Sequence, residues 1–175
     1  KNFKTIHDGE PYDLLIKELT DMKYHVKDKI MNTVKYTCVP QNRERIIIIG
    51  FLDKKMYDNF EFPEEINCFK PFHDFLEVDV DNKYIYTDKL KIFDKIKDVI
   101  TDEKCVYQYR RHYVRTNKKN VVPSLTANMG SGGHNVGLIV TNQGIRKFTP
   151  KECFNFQGFP NNYVLPNISD SRLYK

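Results

Sequence analysis

No apolar run in these 175 residues approaches the roughly 20 that a bilayer crossing needs, and the longest β-branched run is four isoleucines. A membrane-spanning helix is therefore not expected. The first ten residues, KNFKTIHDGE, hold no apolar segment of the kind a secretory leader carries, and no initiator methionine, so the sequence reads as a piece of something longer. Cysteine is sparse and scattered: Cys38, Cys68, Cys105 and Cys153 form no CxxC pair, and none of the five histidines completes a zinc pattern. These gaps point to a reducing, intracellular protein without metal. The 40% hydrophobic and 13% aromatic content is nonetheless enough for a packed core.

A further absence is local and more informative. Between Cys105 and Lys151 there is no acidic residue, while Arg110, Arg111, Arg115, Lys118, Lys119, Arg146, Lys147 and Lys151 supply eight cations. Residues 1–104 carry 18 basic and 21 acidic side chains, a balance of −3, and residues 105–175 carry 10 and 2, a balance of +8. Such a block suits a polyanionic partner, nucleic acid being the commonest, with a solvated basic face as the plainer alternative. Tyr107, Tyr109 and Tyr113 interleave with Arg110, Arg111 and His112, which could offer ring faces beside phosphate contacts.

Residues 39–51, VPQNRERIIIIGF, change character at their middle. The isoleucine half has the continuous β-branched pattern of a strand buried on both faces. In its polar half, strand periodicity puts Gln41, Arg43 and Arg45 on one side and Asn42 and Glu44 on the other. Two guanidiniums at the mouth of a buried strand could hold an anionic or carbonyl-bearing ligand, or could make a surface ion-pair cluster with Glu44. Before this stretch, residues 12–22 place Tyr12, Leu15, Ile16, Leu19 and Met22 on one helical face, and residues 24–32 alternate as a strand that should form an antiparallel hairpin with the arginine strand or lie near it. After it, residues 52–71 read as a crossing to a second unit, and residues 88–100 as a helix capped by Thr87.

Further on, residues 121–128 and 138–141 read as strands, and residues 129–135, MGSGGHN, as a glycine loop. That loop lacks the Lys-Ser/Thr of a P-loop and matches no dinucleotide fingerprint, so it is either a hairpin tip or a backbone that approaches another molecule closely. Residues 149–158 carry a complete set of helix-end signals: Thr149 as cap, Pro150 in the first position, Glu152 at the capping-box position and Gly158 beyond the end.

Two segments resemble a known family. PQNRERIIIIGF is similar to the PQxRER-hydrophobic-GF segment of DNA (cytosine-5)-methyltransferases, their motif VIII, and IRKFTPKECFNFQGFPNNY is similar to their motif IX. Order and spacing match as well, and the opening KNFKTIHDG and closing Tyr174–Lys175 resemble the residues flanking this half of the family, so the resemblance covers the whole chain. It implies an α/β fold, with part of a Rossmann-like methyltransferase sheet in residues 1–51. A small, mostly β target-recognition domain would follow in residues 52–145, and a motif IX segment in residues 146–175 would lead back to the catalytic domain. Phe148 and Lys151 replace the usual Leu and Arg, which are mild departures.

In that family the target cytosine is flipped out of the duplex and methylated at carbon 5 with S-adenosylmethionine. The resemblance implies that Arg45 bonds the flipped ring's O2, that Arg43 braces the catalytic loop or a phosphate, and that Gln41 supports both. PSLTA resembles the PTLTA that family members place against DNA, so Ser124, Thr126 and Asn128 become backbone contacts, with Arg110, Arg111 and Arg115 beside them. Ser131, Gly132, Gly133, His134 and Asn135 become base-reading candidates, in a loop similar to those of members that read short GC-rich palindromes. The family's Pro-Cys-Gln nucleophile loop, its ENV glutamate and its glycine-rich cofactor turn do not occur in this sequence. Cys38 sits in the order Cys-Val-Pro-Gln and Cys153 inside the motif IX helix, so neither is read as the nucleophile. The isolated chain is thus expected neither to bind S-adenosylmethionine nor to methylate DNA. Its expected partners are double-stranded DNA and an amino-terminal half, in the same or a separate chain, in the bacterial cytoplasm. The alternatives are a non-catalytic DNA-binding module or specificity subunit, and an RNA methyltransferase on the same scaffold.

Overall fold

The computed structural model of the protein describes residues 2–129 and 134–175, apart from the side chains of Asn2 and Asn128. The chain divides into two compact units, one holding residues 1–37 and 43–68, the other residues 38–42 and 69–175.

In the first unit, helix α1 (Glu10–Asp21) starts from Gly9, whose φ of +95° suits glycine, and carries Pro11 in its first turn. Strand β1 (His25–Asn32) then leads to the short helix α2 (Thr33–Tyr36), capped by the Asn32 side chain. After the excursion through strand β2 (Gln41–Asn42) in the other unit, the chain returns as strand β3 (Glu44–Phe51) and helix α3 (Lys54–Asn59). β1 and β3 form the expected antiparallel pair, from His25 opposite Phe51 to Asn32 opposite Glu44.

Alternation divides the faces of this ribbon. Asp28 accepts a 2.6 Å hydrogen bond from the Tyr12 hydroxyl of α1, while Lys27 donates to the Phe60 carbonyl at 2.5 Å and lies over the Tyr57 ring. Two expectations need correcting here. The arginine strand is not continuous, because it breaks at Arg43 between β2 and β3. Nor is the isoleucine run buried on both faces: Ile47 is 40% exposed, and no β3 residue is fully buried. Only β1 pairs with β3 among the described residues, so the run lies in a two-stranded ribbon rather than inside a sheet.

The second unit holds the buried core, centred on Phe72, Ile96, Val106, Ile139, Phe148 and Phe156, each 0% exposed. The helix expected over residues 88–100 contracts to α4 (Phe93–Ile96), flanked by three-residue turns. Of Leu90, Phe93, Ile96 and Ile100, which helical spacing would turn inward together, Ile96 and Ile100 are buried but Leu90 is 43% exposed, so the apolar stripe that would pull a longer helix onto the core breaks at its start. Strands β4 (Tyr107–Arg110), β5 (Tyr113–Thr116), β7 (Leu138–Thr141) and β8 (Gly144–Lys147) make an antiparallel sheet in the order β5-β4-β7-β8. The strand expected over residues 121–128 shrinks to β6 (Val122–Pro123), parallel to β2. Proline supplies no ladder donor, so the pairing stops there.

Helix α5 (Pro150–Asn155) forms as its end signals require, with a reciprocal capping box between Thr149 and Glu152, and Gly158 follows at φ +88°. A last helix, α6 (Asp170–Leu173), brings Tyr174 back so that its hydroxyl donates to the Phe148 carbonyl at 2.7 Å. No helix among the described residues is long and apolar enough to cross a membrane, and no described group of His, Cys, Asp and Glu is arranged to hold a metal ion.

One buried ion pair binds these pieces. Arg146 and Glu152 are 1% and 0% exposed and meet through two bonds of 2.8 and 2.7 Å. The same carboxylate accepts from the Thr149 and Glu77 backbone amides, so its two oxygens take four donors. Removing one partner strands a buried charge, which costs about 3–5 kcal/mol. Glu152→Ala should lower the urea-unfolding free energy of the chain by about that much, several times the roughly 1 kcal/mol expected for Thr149→Ala. Equal losses in the two variants would mean that Glu152 serves only as a capping residue.

Candidate nucleic-acid interface

The residues singled out from the sequence fall into both units. In the first, Arg45 is exposed and its Nη1 donates to the Glu44 carbonyl at 2.7 Å. Arg43 is half-buried, and its backbone amide donates to Asn32 Oδ1 at 3.1 Å. Burial, and then the positive charge of Arg45, lower the pKa of the Arg43 guanidinium. Two cations close enough to disfavour one another are what an anionic or carbonyl-bearing ligand would relieve.

In the second unit, Gln41 is 2% exposed, paired through β2 to Val122, and its Nε2 has no hydrogen-bond partner among the described residues. The PSLTA segment lies beside it. Ser124 Oγ donates to the Asn42 carbonyl at 3.1 Å, and Thr126 lines a cleft together with Met129, Cys153, Phe154 and Tyr174. Thr126 Oγ1 is buried and likewise unpaired among the described residues. Burial raises the pKa of Cys153 strongly, as expected of a packed thiol rather than a nucleophile.

The β4–β5 hairpin gathers several of the remaining candidates. Its turn residue Arg111 has φ +57° and donates through Nε to His134 Nε2 at 2.6 Å. Arg110 Nη1 donates to Asn135 Oδ1, and Gln108 Nε2 to the Asn135 carbonyl at 3.0 Å. Arg111 at the turn and Arg115 on β5 are exposed, as is Lys118 beyond the far end of β5. Ser131, Gly132 and Gly133, with the side chain of Asn128, lie outside the described residues.

The eight-cation block is therefore smaller on the surface than in the sequence. Arg146 is withdrawn into the ion pair with Glu152, and Lys119 is 3.1 Å from Asp102. Lys147 lies over the Tyr84 and Tyr174 rings, where burial lowers its pKa. The interleaved tyrosines separate too: Tyr107 is buried with its hydroxyl accepting from the Asp102 amide, and Tyr113 is 60% exposed. Sequence reasoning missed Gln108, Glu77 and the Arg146–Glu152 pair. Only the i, i+2 spacing of Gln108 and Arg110 on a strand offered a signal for the first.

This arrangement matches a defined class of protein. The fold is that of solved methyltransferases: the Entamoeba histolytica methyltransferase EhMeth superposes with a TM-score of 0.66 at 15% identity, over 95% of this chain and 52% of that one. S. pombe Dnmt2 methyltransferase gives 0.63 at 15%, over 98% and 56%. The family model for C-5 cytosine-specific DNA methylase matches residues 1–175, and the chain belongs to that family. The Type II methyltransferase M.Bsp6I of Bacillus sp. (strain RFL6) is 42% identical over 178 residues, covering 100% of this chain and 56% of the relative. For M1.ScrFI of Lactococcus lactis subsp. cremoris the identity is 30%, over 100% and 44%. The chain thus spans about half the length of the relatives it matches.

A buried hydroxyl without a partner among the described residues loses its hydration with no bond in return, so Thr126→Val should leave the unfolding free energy unchanged or raise it by about 1–3 kcal/mol. If that hydroxyl serves nucleic acid, the same variant should weaken duplex binding measured by fluorescence anisotropy. A destabilised variant that binds normally would assign Thr126 to the fold instead.

Proposed function

We propose that this chain is the DNA-recognising part of a DNA (cytosine-5)-methyltransferase and contributes Arg45, which acts on the flipped base, and Arg43, which braces its surroundings. The observation that carries the reading is the convergence of Arg110, Arg111, His134 and Asn135 at one hairpin turn, in an acid-free stretch of a member of the cytosine methylase family. Arg111, Arg115 and Lys118 supply phosphate attraction, and Ser124, Thr126 and Asn128 bond the backbone beside the flipped nucleotide. Ser131, Gly132, Gly133, His134 and Asn135 reach base edges in the major groove.

Arg45 donates to O2 of the extruded cytosine, withdrawing electron density as a nucleophile adds to the ring. Arg43 braces the catalytic loop or a phosphate, and Gln41 supports both arginines. Residues 1–51 act as part of the catalytic domain, residues 52–145 as the recognition domain and residues 146–175 as the connection back. The residues present do not make an S-adenosylmethionine site, since the sequence has no glycine-rich nucleotide turn opening a helix. The cofactor and the nucleophile then come from an amino-terminal half, in the cytoplasm of a bacterium.

Salt dependence tests this reading. With three exposed arginine and lysine contacts, log K for a mixed-sequence duplex should fall with log salt at a slope of about −2 to −3. Arg111→Ala should flatten that slope by about one unit. An affinity that is flat across salt, or a slope unchanged by Arg111→Ala, would remove the hairpin from the interface. The isolated chain should transfer no methyl group from S-adenosylmethionine to DNA. Transfer by the chain alone would refute the division of labour.

A further inference from the structure

Gln108 and Arg110 are two positions apart on β4 and so share one face of the strand. Both reach Asn135, the residue that closes the glycine loop, from opposite ends of its functional groups. Gln108 Nε2 donates to the main-chain carbonyl at 3.0 Å, and Arg110 Nη1 donates to the side-chain Oδ1. The two bonds span 27 and 25 residues of sequence, so they fix the loop's exit to the sheet rather than to its own neighbours. Gln108 is 4% exposed and cannot touch a ligand. Its Nε2 donates to Asn135, and a buried donor is costly to leave unpaired.

The neighbouring arginines consequently do different work. Arg110 is half-buried with part of its guanidinium committed to Asn135, whereas Arg111 is exposed and among the described residues gives only Nε, to His134. We infer that Gln108 and Arg110 are positioning residues that set which DNA sequence the chain reads, acting through Asn135, while Arg111 supplies attraction that is indifferent to sequence. The inference rests on the recognition reading proposed above and assigns to β4 the control of its specificity. A charge-assisted bond to the side chain and a buried bond to the backbone hold Asn135 in one place, which is what an edge-reading loop needs if a wrong base is to be penalised.

The test is enrichment from a randomised duplex pool by the full chain, read beside affinity for mixed-sequence duplex at several salt concentrations. Wild type should enrich a short motif. Gln108→Met, matched in volume but without a donor, should reduce that enrichment about tenfold, the discrimination typically carried by one base pair. Its mixed-sequence affinity should stay within about threefold and its salt slope unchanged. Arg110→Lys, a change at a half-buried site that keeps the charge and loses the fork, should reduce the enrichment likewise and stands in if Gln108→Met fails to fold. Val106→Ala, a core change with no bond to Asn135, should lower the unfolding midpoint and leave the motif intact.

The inference is overturned if both positioning variants enrich the wild-type motif as strongly as the parent. It is overturned equally if they lose affinity and salt slope as Arg111→Ala does, or if Val106→Ala blurs the motif to the same extent. A wild-type chain that enriches no motif would instead bring down the recognition reading itself, and the positioning inference with it. The wild-type arm tells these failures apart.

Discussion

The carboxylate of Glu152 is the constraint on which the second unit depends. It closes the capping box of α5, neutralises Arg146 on β8 and accepts from the backbone of Glu77, so one side chain joins a helix start, a sheet edge and a distant loop. Glu77 returns the favour through a 2.5 Å bond from the Thr149 hydroxyl. A buried pair of this kind is worth little against a hydrophobic replacement, but losing one member is severe, which makes it a device for specifying one arrangement. β8 lies at the end of the sheet whose other strands carry the hairpin of Arg110 and Arg111.

What was legible in the sequence was local. Thr149, Pro150, Glu152 and Gly158 announce α5 because each satisfies a helix end by its own chemistry, and the alternation of residues 24–32 announces β1 for a similar reason. What was not legible depended on tertiary partners. Leu90, Phe93, Ile96 and Ile100 have helical spacing, yet Leu90 meets solvent and only one α-helical turn survives. Four consecutive isoleucines look like an interior strand, but pattern alone cannot supply the neighbours that would cover it. The break at Arg43 was hidden because β2 takes its partner, β6, from some eighty residues later.

The candidate site divides along the same line. Residue types at fixed spacing pointed to Gln41, Arg43 and Arg45, and the family match covers all of them. The chemistry of the basic block could not be counted from sequence, because Arg146 and Lys147 look like Arg111 and Lys118 until their burial is known. Membership in the cytosine methylase family sets the kind of reaction in view, whereas the work of this half of such an enzyme has to be argued from its own side chains. In the first unit those side chains include Arg43, whose charge is disfavoured by burial and by Arg45, and in the second the exposed Arg111 and Arg115.

The most direct measurement uses a chimaera of M.Bsp6I in which this chain replaces the matching segment, with single-turnover methyl transfer to duplex DNA followed at saturating DNA. The account predicts that the chimaera methylates cytosine. It also predicts that Arg45→Ala slows the transfer by roughly a hundredfold to a thousandfold, comparable to losing one oxyanion-hole donor, with duplex affinity nearly unchanged. A folded, DNA-binding chimaera that transfers no methyl group, or an Arg45→Ala form as fast as its parent, would contradict it.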